Sequence, residues 1–477
     1  MADGSALTPW VARMPSDIYE RLRAHLFQSD HGEHGAVLAA GVARGPRSNR
    51  LLVRDLFLAS EGTDYLPGQR GHRMLSATFV RDCVLKCRDE RLAYLAVHNH
   101  GGGNSVEFSS IDLESHERGY PALLDVIRGQ PVGALVFSTG AVAGDIWLSA
   151  TNRAPLARLD VIGSSIHTFQ PRPAVARSDR LRLYDRQSRL FGDAGQAILR
   201  RLKVGVVGVG GVGVLIVEYL ARLGVGEIVV VDPDVVEESN LPRLIGADAS
   251  DAKSPRGLRK LLTAQRGPLP KVELARRIAL RANRDGRFVG INDQFQKASV
   301  AGAFVDCDYL FLAADSMQAR LLFNAMVHQY FVPGFQVGSK AVIEPGSGRV
   351  LDAYSIVRPV FPGAGCLWCN GAITPSGLQA ESAVDQERRA QAYVDDPGVP
   401  VPSVITMNAT GAAQAANDFL FSAVGLMDLP LPLDYVSVRP LRRDVRYEAP
   451  RKDDDCPECS LHGRFGRGDT VRLPTRQ

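Results

Sequence analysis

A glycine-rich loop between two strand-like segments most constrains how this chain can fold. Val204–Val207 and Glu227–Val231 are rich in valine, and the helical pattern between them opens on the sequence GVGGVG at 208–213. A strand, a glycine-rich turn and a helix that leads to a second strand form a βαβ unit with parallel strands. The backbone N–H groups of such a loop and the N-terminus of its helix bind phosphate. The sequence therefore predicts an α/β fold with a phosphate-binding loop, whose residues are Gly208, Gly210, Gly211 and Gly213.

Polar residues beyond this loop distinguish two classes of phosphate-binding protein. Taken alone, the loop favours a dinucleotide oxidoreductase, in which one acidic residue binds the ribose hydroxyls. Asp232 stands at the position for that acid. The chain then adds residues that such a site does not need, namely Asn240, Arg243, Lys271 and Asp315. Arginine and lysine neutralise phosphate charge, and a second carboxylate can bind Mg²⁺. The pattern therefore favours cleavage of a triphosphate, with ATP and Mg²⁺ as cofactors.

A second constellation lies nearer the N-terminus, after the strand-like run Leu92–Val97. His98 and His100 stand at the end of this strand, and Asp112 follows Ser109 at the expected start of a helix. Two histidines and one carboxylate leave a fourth position open for water, which is the coordination of catalytic zinc. Zinc lowers the pKa of its bound water to about 7, so hydroxide is available at neutral pH. Ser109, one helical turn from Asp112, is expected to donate a hydrogen bond to a developing oxyanion.

Cysteines occur as two close pairs and three further thiols. The pairs are Cys366 with Cys369 and Cys456 with Cys459, each in the spacing C-x-x-C. Four thiolates in this pattern predict a closed structural zinc site, in addition to the open site at the histidines. We expect the other thiols to be buried and inert. They are Cys83, Cys87 and Cys307.

The N-terminal constellation resembles the JAMM/MPN (JAB) metalloprotease motif. The match covers all four motif positions in the order H-x-H, eight residues, S-x-x-D, beginning at His98. Gly101 and Phe108 stand where many members of the family carry proline. The resemblance implies an α/β metalloprotease domain with a glutamate on an early strand as the general base. Glu33 stands where that glutamate is expected, and Glu61 is the weaker alternative.

The glycine loop and the residues after it resemble the ThiF/MoeB/HesA family and the adenylation domains of ubiquitin-activating enzymes. The resemblance covers about residues 180–460, from Tyr184-Asp-Arg-Gln187 through Asp232-Pro-Asp234 and Pro270-Lys-Val272 to the two cysteine pairs. It implies a Rossmann-like domain, with a structural zinc site, that uses ATP and Mg²⁺ to adenylate a C-terminal carboxylate.

This second resemblance also implies roles for individual residues. Asn240, Arg243 and Lys271 would hold phosphates and orient the attack. Asp315 would bind Mg²⁺. Arg186 would reach the ATP of a partner subunit, which implies a homodimer.

A cysteine that most enzymes resembling this domain use is missing here. Those enzymes pass the activated carboxylate to a cysteine ahead of the last long helix, whereas no cysteine lies between Cys369 and Cys456. A thioester needs a thiolate, so three other routes stay open. The protein stops at the acyl-adenylate, hands it directly to a partner, or forms an oxyester on a hydroxyl. The hydroxyls available are Ser376, Ser382, Ser403 and Thr406.

Length and composition indicate how the domains are arranged. A chain of 477 residues is too long for one ordinary core. We expect a JAB-type domain at 1–165, a linker at 166–183, the adenylation domain at 184–460 and a basic tail at 461–477. The net charge of +4 gives no reason to expect nucleic acid as a partner, and no apolar run is long enough to span a membrane. The N-terminus lacks the pattern of a signal peptide, so we expect a cytoplasmic protein.

Taken together, the two constellations predict a bifunctional enzyme of a bacterial-type ubiquitin-like system. The C-terminal half would activate the modifier with ATP, and the N-terminal half would trim its precursor or remove it from targets. A conjugating-enzyme-like protein is a further expected partner. One alternative is a sulfur-carrier route, in which the adenylated tail becomes a thiocarboxylate for cofactor or cysteine synthesis. Another is a scaffold that binds the modifier without catalysis.

Overall fold

The computed structural model describes residues 8–30, 32–66, 73–172, 182–254, 267–344, 346–383, 402–427 and 433–476. The chain divides into two compact units. The first contains Met1–Arg177, His328–Phe331 and Cys459–Arg472. The second contains Ser178–Val327, Val332–Glu458 and Leu473–Gln477. Among the described helices, none is both long and apolar enough to cross a membrane.

The first unit is built on an eight-stranded sheet in which the first strand also pairs with the seventh. Its strands are β1 (Trp10–Pro15), β2 (Gly35–Ala43), β3 (Asn49–Leu58), β4 (Ala93–Asn99), β5 (Val132–Phe137), β6 (Val142–Ser149), β7 (Asn152–Ile162) and β8 (Ile166–Phe169). Their order in the sheet is β1-β3-β2-β4-β5-β6-β7-β8. Strand β2 is buried along its whole length, which explains its continuous run of small and apolar residues, GAVLAAGVA.

In the described part of this unit, three helices accompany the sheet: α1 (Ser16–Leu26), α2 (Ala77–Glu90) and α3 (Ser110–Ile127). Helices α2 and α3 share an apolar core with the sheet, in which Tyr120 lies near Trp147. Cys83 and Cys87 lie in the same core, and burial raises the pKa of both thiols to about 12. Both thiols therefore stay protonated at neutral pH. Cys307 is also buried, so the prediction of three buried thiols is confirmed.

Strand β8 lies inside the segment that the sequence predicts as a linker. Residues 166–169 pair antiparallel with residues 159–162 of β7 and form a hairpin. A four-residue strand carries little apolar periodicity, and the prolines and arginines of this segment mask it further. Residues 173–181 of the predicted linker lie outside the described residues.

Residues 459–472 group with the first unit, although the sequence assigns them to the end of the adenylation domain and to a basic tail. The ring of Phe465 lies 4.9 Å from that of Phe331. Arg467 forms an ion pair with Glu90 at 3.2 Å. Gly468 has a φ of +52° and bridges to Val42. The basic composition of this segment obscures a single buried aromatic residue, which helps to fix it on the unit.

The second unit is built on a sheet in the order β11-β10-β9-β12-β13-β14-β15-β16. The strands are β9 (Lys203–Val207), β10 (Glu227–Val231), β11 (Arg287–Ile291), β12 (Tyr309–Leu312), β13 (Gly334–Ile343), β14 (Val350–Val360), β15 (Tyr435–Arg439) and β16 (Asp444–Glu448). Strands β9 to β13 are parallel, and β14 to β16 continue the sheet antiparallel. The predicted Rossmann-like βαβ unit is thus the centre of this sheet.

Within the described residues, the helices after β8 are α4 (Asp185–Arg201), α5 (Gly213–Leu223), α6 (Lys271–Ala282), α7 (Ala298–Ala301), α8 (Met317–Tyr330), α9 (Pro375–Ser382) and α10 (Ile405–Val424). Helix α5 follows the glycine loop, and α8 follows β12 after a short turn. Much of the predicted insertion at 251–270 and of the predicted crossover at 372–402 lies outside the described residues.

Candidate nucleotide cleft and metal sites

The glycine-rich loop turns sharply between β9 and α5. Gly208 has a φ of +84°, a conformation that favours glycine, and its N–H donates to the carbonyl oxygen of Val231 at 2.9 Å. A Cβ added at Gly213 would lie 1.9 Å from the carbonyl oxygen of Gly208. Only glycine therefore lets α5 begin this close to the loop. A Cβ at Gly210 would meet no atom within 4 Å, because this residue faces an open cleft.

Asp232 follows β10 and holds the glycine loop in place. Its buried carboxylate accepts hydrogen bonds from the backbone N–H groups of Val209 at 2.7 Å and Asp234 at 2.9 Å. Burial raises the pKa of this carboxyl group above its ordinary value, although both N–H groups oppose the rise. Asp232 also lines the cleft, next to the loop, where the sequence predicts an acid for ribose hydroxyls.

The cleft has a volume of about 1380 Å³ and brings together residues from distant parts of the sequence. Arg243, Lys271 and Asp315 line it together with Gly208, Gly210 and Gly211. The ammonium of Lys271 lies 2.7 Å from a carboxylate oxygen of Asp234. Arg243 donates to the carbonyl oxygen of Ser239 at 3.0 Å. Asp315 is exposed just after β12 and has no ion pair with a described residue.

Three predicted site residues are absent from the described lining of this cleft, and Gly213, at the start of α5, is one of them. Asn240 is buried, donates to Ser239 Oγ at 3.2 Å, and has a buried Oδ1 with no partner among the described residues. Arg186 is exposed in the first turn of α4. Asn240 and Gly213 thus lie outside the described lining, whereas Arg186 is predicted to serve the cleft of a partner subunit and not its own.

The opposite wall of the cleft is the ribbon formed by β13 and β14. The cleft is lined by the five consecutive residues 336–340 of β13 and by three alternate residues of β14, which share one face of that strand: Tyr354, Ile356 and Arg358. Arg320, in the first turn of α8, lines it as well. Sequence reasoning missed these cations. The available signals were a lone arginine within the apolar run 353–361 and a cation in the helix that follows Asp315.

One of the four candidate hydroxyls for an oxyester lies in the cleft. Ser403 lines it, and its Oγ accepts a hydrogen bond from Asn408 Nδ2 at 3.1 Å. Ser376, Ser382 and Thr406 are not among the described residues that line it. Asn408 is buried under the glycine loop, where a Cβ on Gly211 would lie 2.4 Å from its amide nitrogen. The start of α10 therefore connects Ser403 to the loop through this asparagine.

His98, His100 and Asp112 converge in the first unit. Nε2 of His98 lies 3.2 Å from Nε2 of His100, and the Asp112 oxygens lie 3.5 and 3.4 Å from these nitrogens. A tetrahedral ion with ligands about 2.05 Å away places its ligand atoms about 3.3 Å apart. The three side chains therefore suit zinc in the distances between their donor atoms. His100 Nδ1 lies 3.1 Å from the Glu107 carbonyl oxygen, which leaves Nε2 to face the other ligands.

Ser109 and Asp112 form a capping box at the start of α3. The Ser109 hydroxyl donates to Asp112 Oδ2 at 2.7 Å, and the Asp112 N–H donates to Ser109 Oγ at 3.2 Å. Burial acts to raise the pKa of Asp112, but the hydrogen bonds from His98 and Ser109 outweigh it and leave that pKa well below its ordinary value. Ser109 thus orients a candidate metal ligand, in addition to any role with substrate.

The two candidate general bases differ in what surrounds them. Gly35 of β2 pairs with His98, and the His34 N–H donates to Asn99 at 2.7 Å. If the antiparallel pairing of β2 with β4 continues for two more residues, Glu33 lies opposite His100. It then lies on the face of the sheet that carries both histidines. Glu61 instead forms an ion pair with Arg73.

Besides the histidine site, this unit contains another group of possible metal ligands, and Arg73 lies within it. Asp30, His34 and Glu61 have ligand atoms close enough to hold a metal ion. However, Arg73 pairs with Asp30 at 3.0 Å and with Glu61, and it lies 3.3 Å from His34 Nδ1. Its guanidinium already neutralises both carboxylates, so this cluster does not suit a metal ion.

The four paired cysteines gather into one cluster whose sulfur atoms all lie within 4.8 Å of one another. Cys366 Sγ lies 3.5 Å from Cys369 Sγ and 3.7 Å from Cys456 Sγ. Cys459 completes the set, and three of the four residues are buried. Four thiolates at these separations suit a closed tetrahedral zinc site, because Zn–S bonds of about 2.3 Å place sulfurs about 3.8 Å apart.

Comparison with known proteins gives matches for the region that contains the nucleotide cleft. The model of the ThiF family matches residues 184–417. The SAMP-activating enzyme E1 of Haloferax volcanii is 34% identical over 133 residues, which is 28% of this chain and 44% of that protein. The sulfur carrier protein ThiS adenylyltransferase of Bacillus subtilis is 26% identical over 280 residues, 58% of this chain and 70% of that protein. The match thus spans less than half of the archaeal relative.

Solved structures give a weaker similarity. The crystal structure of Escherichia coli MccB with ATP covers 60% of this chain and 75% of its own, with 18% identity and a TM-score of 0.45. The family match begins at residue 184, and the glycine loop, Asp232, Arg243, Lys271 and Asp315 all fall inside it. Residues 184–417 are therefore a ThiF family domain.

Proposed function

We propose that the second unit adenylates the C-terminal carboxylate of a sulfur-carrier or ubiquitin-like protein. One observation carries this proposal: a single cleft is lined by the glycine loop, two phosphate-binding cations and an exposed carboxylate. The names of the two relatives, a SAMP-activating enzyme and an adenylyltransferase for the sulfur carrier ThiS, favour the same class of reaction.

Each group in the cleft has a part in this reaction. The loop N–H groups hold phosphate oxygens, and Asp232 binds ribose beside them. Arg243 and Lys271 neutralise the charge of the departing pyrophosphate. Asp315 offers exposed oxygen ligands of the kind that Mg²⁺ prefers, and Mg²⁺ bound there supplies further positive charge to the phosphates. The carrier's carboxylate oxygen attacks the α-phosphorus, the bond to the β-phosphate oxygen breaks, and an acyl-adenylate and pyrophosphate result.

The fate of the acyl-adenylate separates the two routes for the carrier. The lack of a cysteine between Cys369 and Cys456 disfavours a thioester in that stretch. Direct transfer to a partner suits both the sulfur-carrier route and conjugation through a further enzyme. Ser403 is the hydroxyl best situated for an oxyester, since it is exposed in the cleft itself. A thiocarboxylate product would support the sulfur route, and a modifier attached to target lysines would exclude it.

We further propose that the active form is a homodimer in which Arg186 serves the partner's cleft. Arg186 is exposed and does not contribute to the described lining of its own cleft. Mixing inactive Arg186→Ala chains with inactive Asp315→Asn chains should restore part of the activity, because half of the hybrid clefts are then intact. No restoration, together with a monomer in sedimentation, would count against the dimer.

The first experiment measures pyrophosphate released from ATP and Mg²⁺ with the sulfur carrier ThiS, or with peptides ending in Gly-Gly, as the carboxylate donor. We expect release that depends on the donor and falls about 100-fold in Asp315→Asn. Asp285→Asn, which changes another exposed aspartate of the same unit, should leave it unchanged. Donor binding with ATP but without pyrophosphate would indicate the scaffold. Binding of NAD in place of ATP would indicate an oxidoreductase.

We also propose a second activity, in the first unit: zinc-dependent hydrolysis of the modifier's C-terminal peptide or isopeptide bond. The spacing of the donor atoms of His98, His100 and Asp112 favours it. His98, His100 and Asp112 would hold the zinc, which would supply a water of lowered pKa. Glu33 would act as the general base and would return the proton to the leaving amine, while Ser109 keeps Asp112 in position.

The test of this second activity uses a Gly-Gly-ended carrier extended by a short C-terminal peptide. Cleavage after Gly-Gly should require zinc and should fall at least 100-fold in Glu33→Gln. Glu61→Gln is the matched control, since Glu61 is engaged by Arg73. Equal loss in both variants, or cleavage that survives in Asp112→Ala, would reject the proposed site.

A further inference from the structure

A single row of paired residues crosses the sheet of the second unit. Val231 pairs with Val207, Val207 with Leu312, Leu312 with Gln336, and Gln336 with Arg358. Neighbouring strands lie about 4.8 Å apart, so Arg358 lies roughly 14 Å along this row from the strand that leads into the glycine loop. It lies on the far side of β12 from Asp232.

The phosphate-binding cations lie at the other end of this row. Lys271 pairs with Asp234, just after β10, and the side chain of Arg243 lies beside Gly211 of the loop. Arg320 and Arg358 line the cleft beyond β12 instead. A nucleotide held by the loop therefore leaves these two arginines on the side from which the carrier's carboxylate must enter.

Neither arginine has a carboxylate partner among the described residues. Arg358 donates to the amide oxygen of Gln336 at 2.6 Å, and its guanidinium lies 5.9 Å from the ring of Tyr435. Arg320 donates to the carbonyl oxygen of Ala372 at 3.0 Å, while its Nε is buried with no partner among the described residues. Burial lowers the pKa of Arg358, and the charge of Arg320 lowers it further.

One carboxylate near the two arginines, that of Glu381, already accepts hydrogen bonds from the backbone. Glu381 lines the same part of the cleft, but its two oxygens accept hydrogen bonds from the N–H groups of Met317 and Gln318 at the start of α8. Two cations thus lie half-buried in one cleft, and no described residue gives either of them an acidic partner. Such an arrangement is costly unless a ligand supplies the anion.

We propose that Arg320 and Arg358 bind an acidic side chain near the C-terminus of the carrier tail. This inference rests on the proposed adenylation and adds the chemistry of its substrate. An extended tail advances about 3.3 Å per residue, and β14 lies two strand spacings, about 10 Å, beyond β12. The acidic residue therefore stands about three positions before the reacting carboxylate. Arginine suits this task because its planar guanidinium can donate two parallel hydrogen bonds to one carboxylate.

The test compares labelled octapeptides that end in Gly-Gly and carry either Glu or Gln at the third position from the end. Binding is measured by fluorescence anisotropy in the presence of a non-hydrolysable ATP analogue. The Glu peptide should bind about 10- to 100-fold more tightly than the Gln peptide, because a charged hydrogen-bonded pair is worth about that much. Arg358→Gln should abolish this preference, and Arg358→Lys should keep part of it.

Controls separate this effect from misfolding and from the terminal carboxylate. Arg446→Gln removes an exposed arginine of β16 and should keep the full preference. Arg320→Gln provides a second variant, and thermal melts of both buried-arginine variants check the fold. Equal binding of the Glu and Gln peptides to the unaltered protein would overturn the proposal. If only amidation of the C-terminus weakened binding, the arginines would bind the terminal carboxylate, and the side-chain assignment would be wrong.

Pyrophosphate release is measured in parallel with the same peptides. Acid-dependent binding without release would leave the subsite standing and reject adenylation of these tails. Release without any preference for the acidic peptide would support adenylation and reject the subsite.

Discussion

The histidine site and the nucleotide cleft assemble their residues from very different lengths of chain. His98, His100 and Asp112 come from one short stretch, and the distances that join their donor atoms are at most 3.5 Å. The cleft gathers residues from Gly208 to Ser403 around a space of about 1380 Å³. A metal ion touches each ligand directly, so one strand end and one helix cap can form its site. A nucleotide with an acyl substrate needs the ends of several strands.

This difference decides what a sequence can reveal. Within a short stretch, residue spacing alone determines which side chains meet, since the strand and the helix cap are local structures. Across a wide cleft, the order of strands determines it, and strand order is a property of the whole sheet. The following predictions test whether the two sites differ as sharply in their response to substitution.

The largest expected effect comes from the four-cysteine cluster, which draws on both close and distant parts of the chain. Cys456→Ser should remove one zinc ion per chain and unfold the second unit, because structural zinc contributes on the order of 10 kcal/mol to folding. Metal analysis and thermal melting measure both changes. Asp112→Ala also removes a proposed zinc ligand but should leave the second unit folded. Equal destabilisation by the two variants would contradict a structural role confined to the cysteines.

The next effect separates chemistry in the cleft from its fold. Lys271→Met should lower pyrophosphate release about 100-fold, since it removes a cation from the departing phosphates. Removal of the Lys271 ammonium also leaves Asp234 without its ion-pair partner, but the melting temperature should change little. Lys297→Met is the control, because Lys297 is paired with Asp293 at the surface. A fall in activity matched by a fall in melting temperature would mean that Lys271 acts mainly on stability.

Two aspartates, one in each unit, should respond to pH in opposite ways. In Asp418, burial raises the pKa to about 6, although Gln414 donates to it at 2.8 Å. A raised pKa means that ionisation of this group costs native stability as pH rises from about 4 to 6. Asp418→Asn should therefore raise the unfolding free energy by up to about 3 kcal/mol at pH 7 and by about half as much at pH 5. Urea unfolding at both pH values measures it.

Asp112 provides the contrast for that measurement. Its pKa is lowered in the folded protein, so its interactions stabilise the native state above pH 4 and lose that effect in acid. Asp112→Asn should accordingly lower stability at pH 7 in the metal-free protein. A gain in stability from both substitutions would contradict the opposite shifts.

The smallest effect concerns the helix cap that shapes the histidine site. Ser109→Ala should cost about 1 kcal/mol of stability, because it removes an N-cap. Zinc affinity should fall about tenfold, since Ser109 orients Asp112. Ser110→Ala, at the neighbouring position, is the control. If zinc affinity is unchanged while hydrolysis falls 100-fold, Ser109 acts on the substrate and not through Asp112.

The sequence was most informative where function depends on local geometry. The H-x-H pair and the S-x-x-D cap led to a cluster of the predicted composition, and the glycine loop led to the centre of a parallel sheet. Arg358 was missed because it becomes relevant only when β14 pairs with β13, an antiparallel addition that the βαβ pattern does not reveal. Asn240 is a similar case, since no sequence pattern shows that it lies outside the described lining of the cleft.

The residues near the end of the chain were also beyond sequence reasoning. Composition suggested a basic tail, yet Phe465 is buried and Arg54 donates to the carbonyl oxygen of Leu461. One aromatic residue among glycines and arginines gives no periodic signal. Only the fold of the first unit shows that Phe465 packs beside Phe331.

That segment has a consequence for synthesis on the ribosome. The strands of the first unit leave the exit tunnel well before residues 459–472, whose Leu461 accepts a hydrogen bond from Arg54. At roughly 5 to 20 residues per second, the early part waits on the order of tens of seconds for them. During that interval the Arg54 side chain, buried in the folded unit, remains open to water. Nascent chains should therefore bind chaperones until residues 459–472 have left the ribosome.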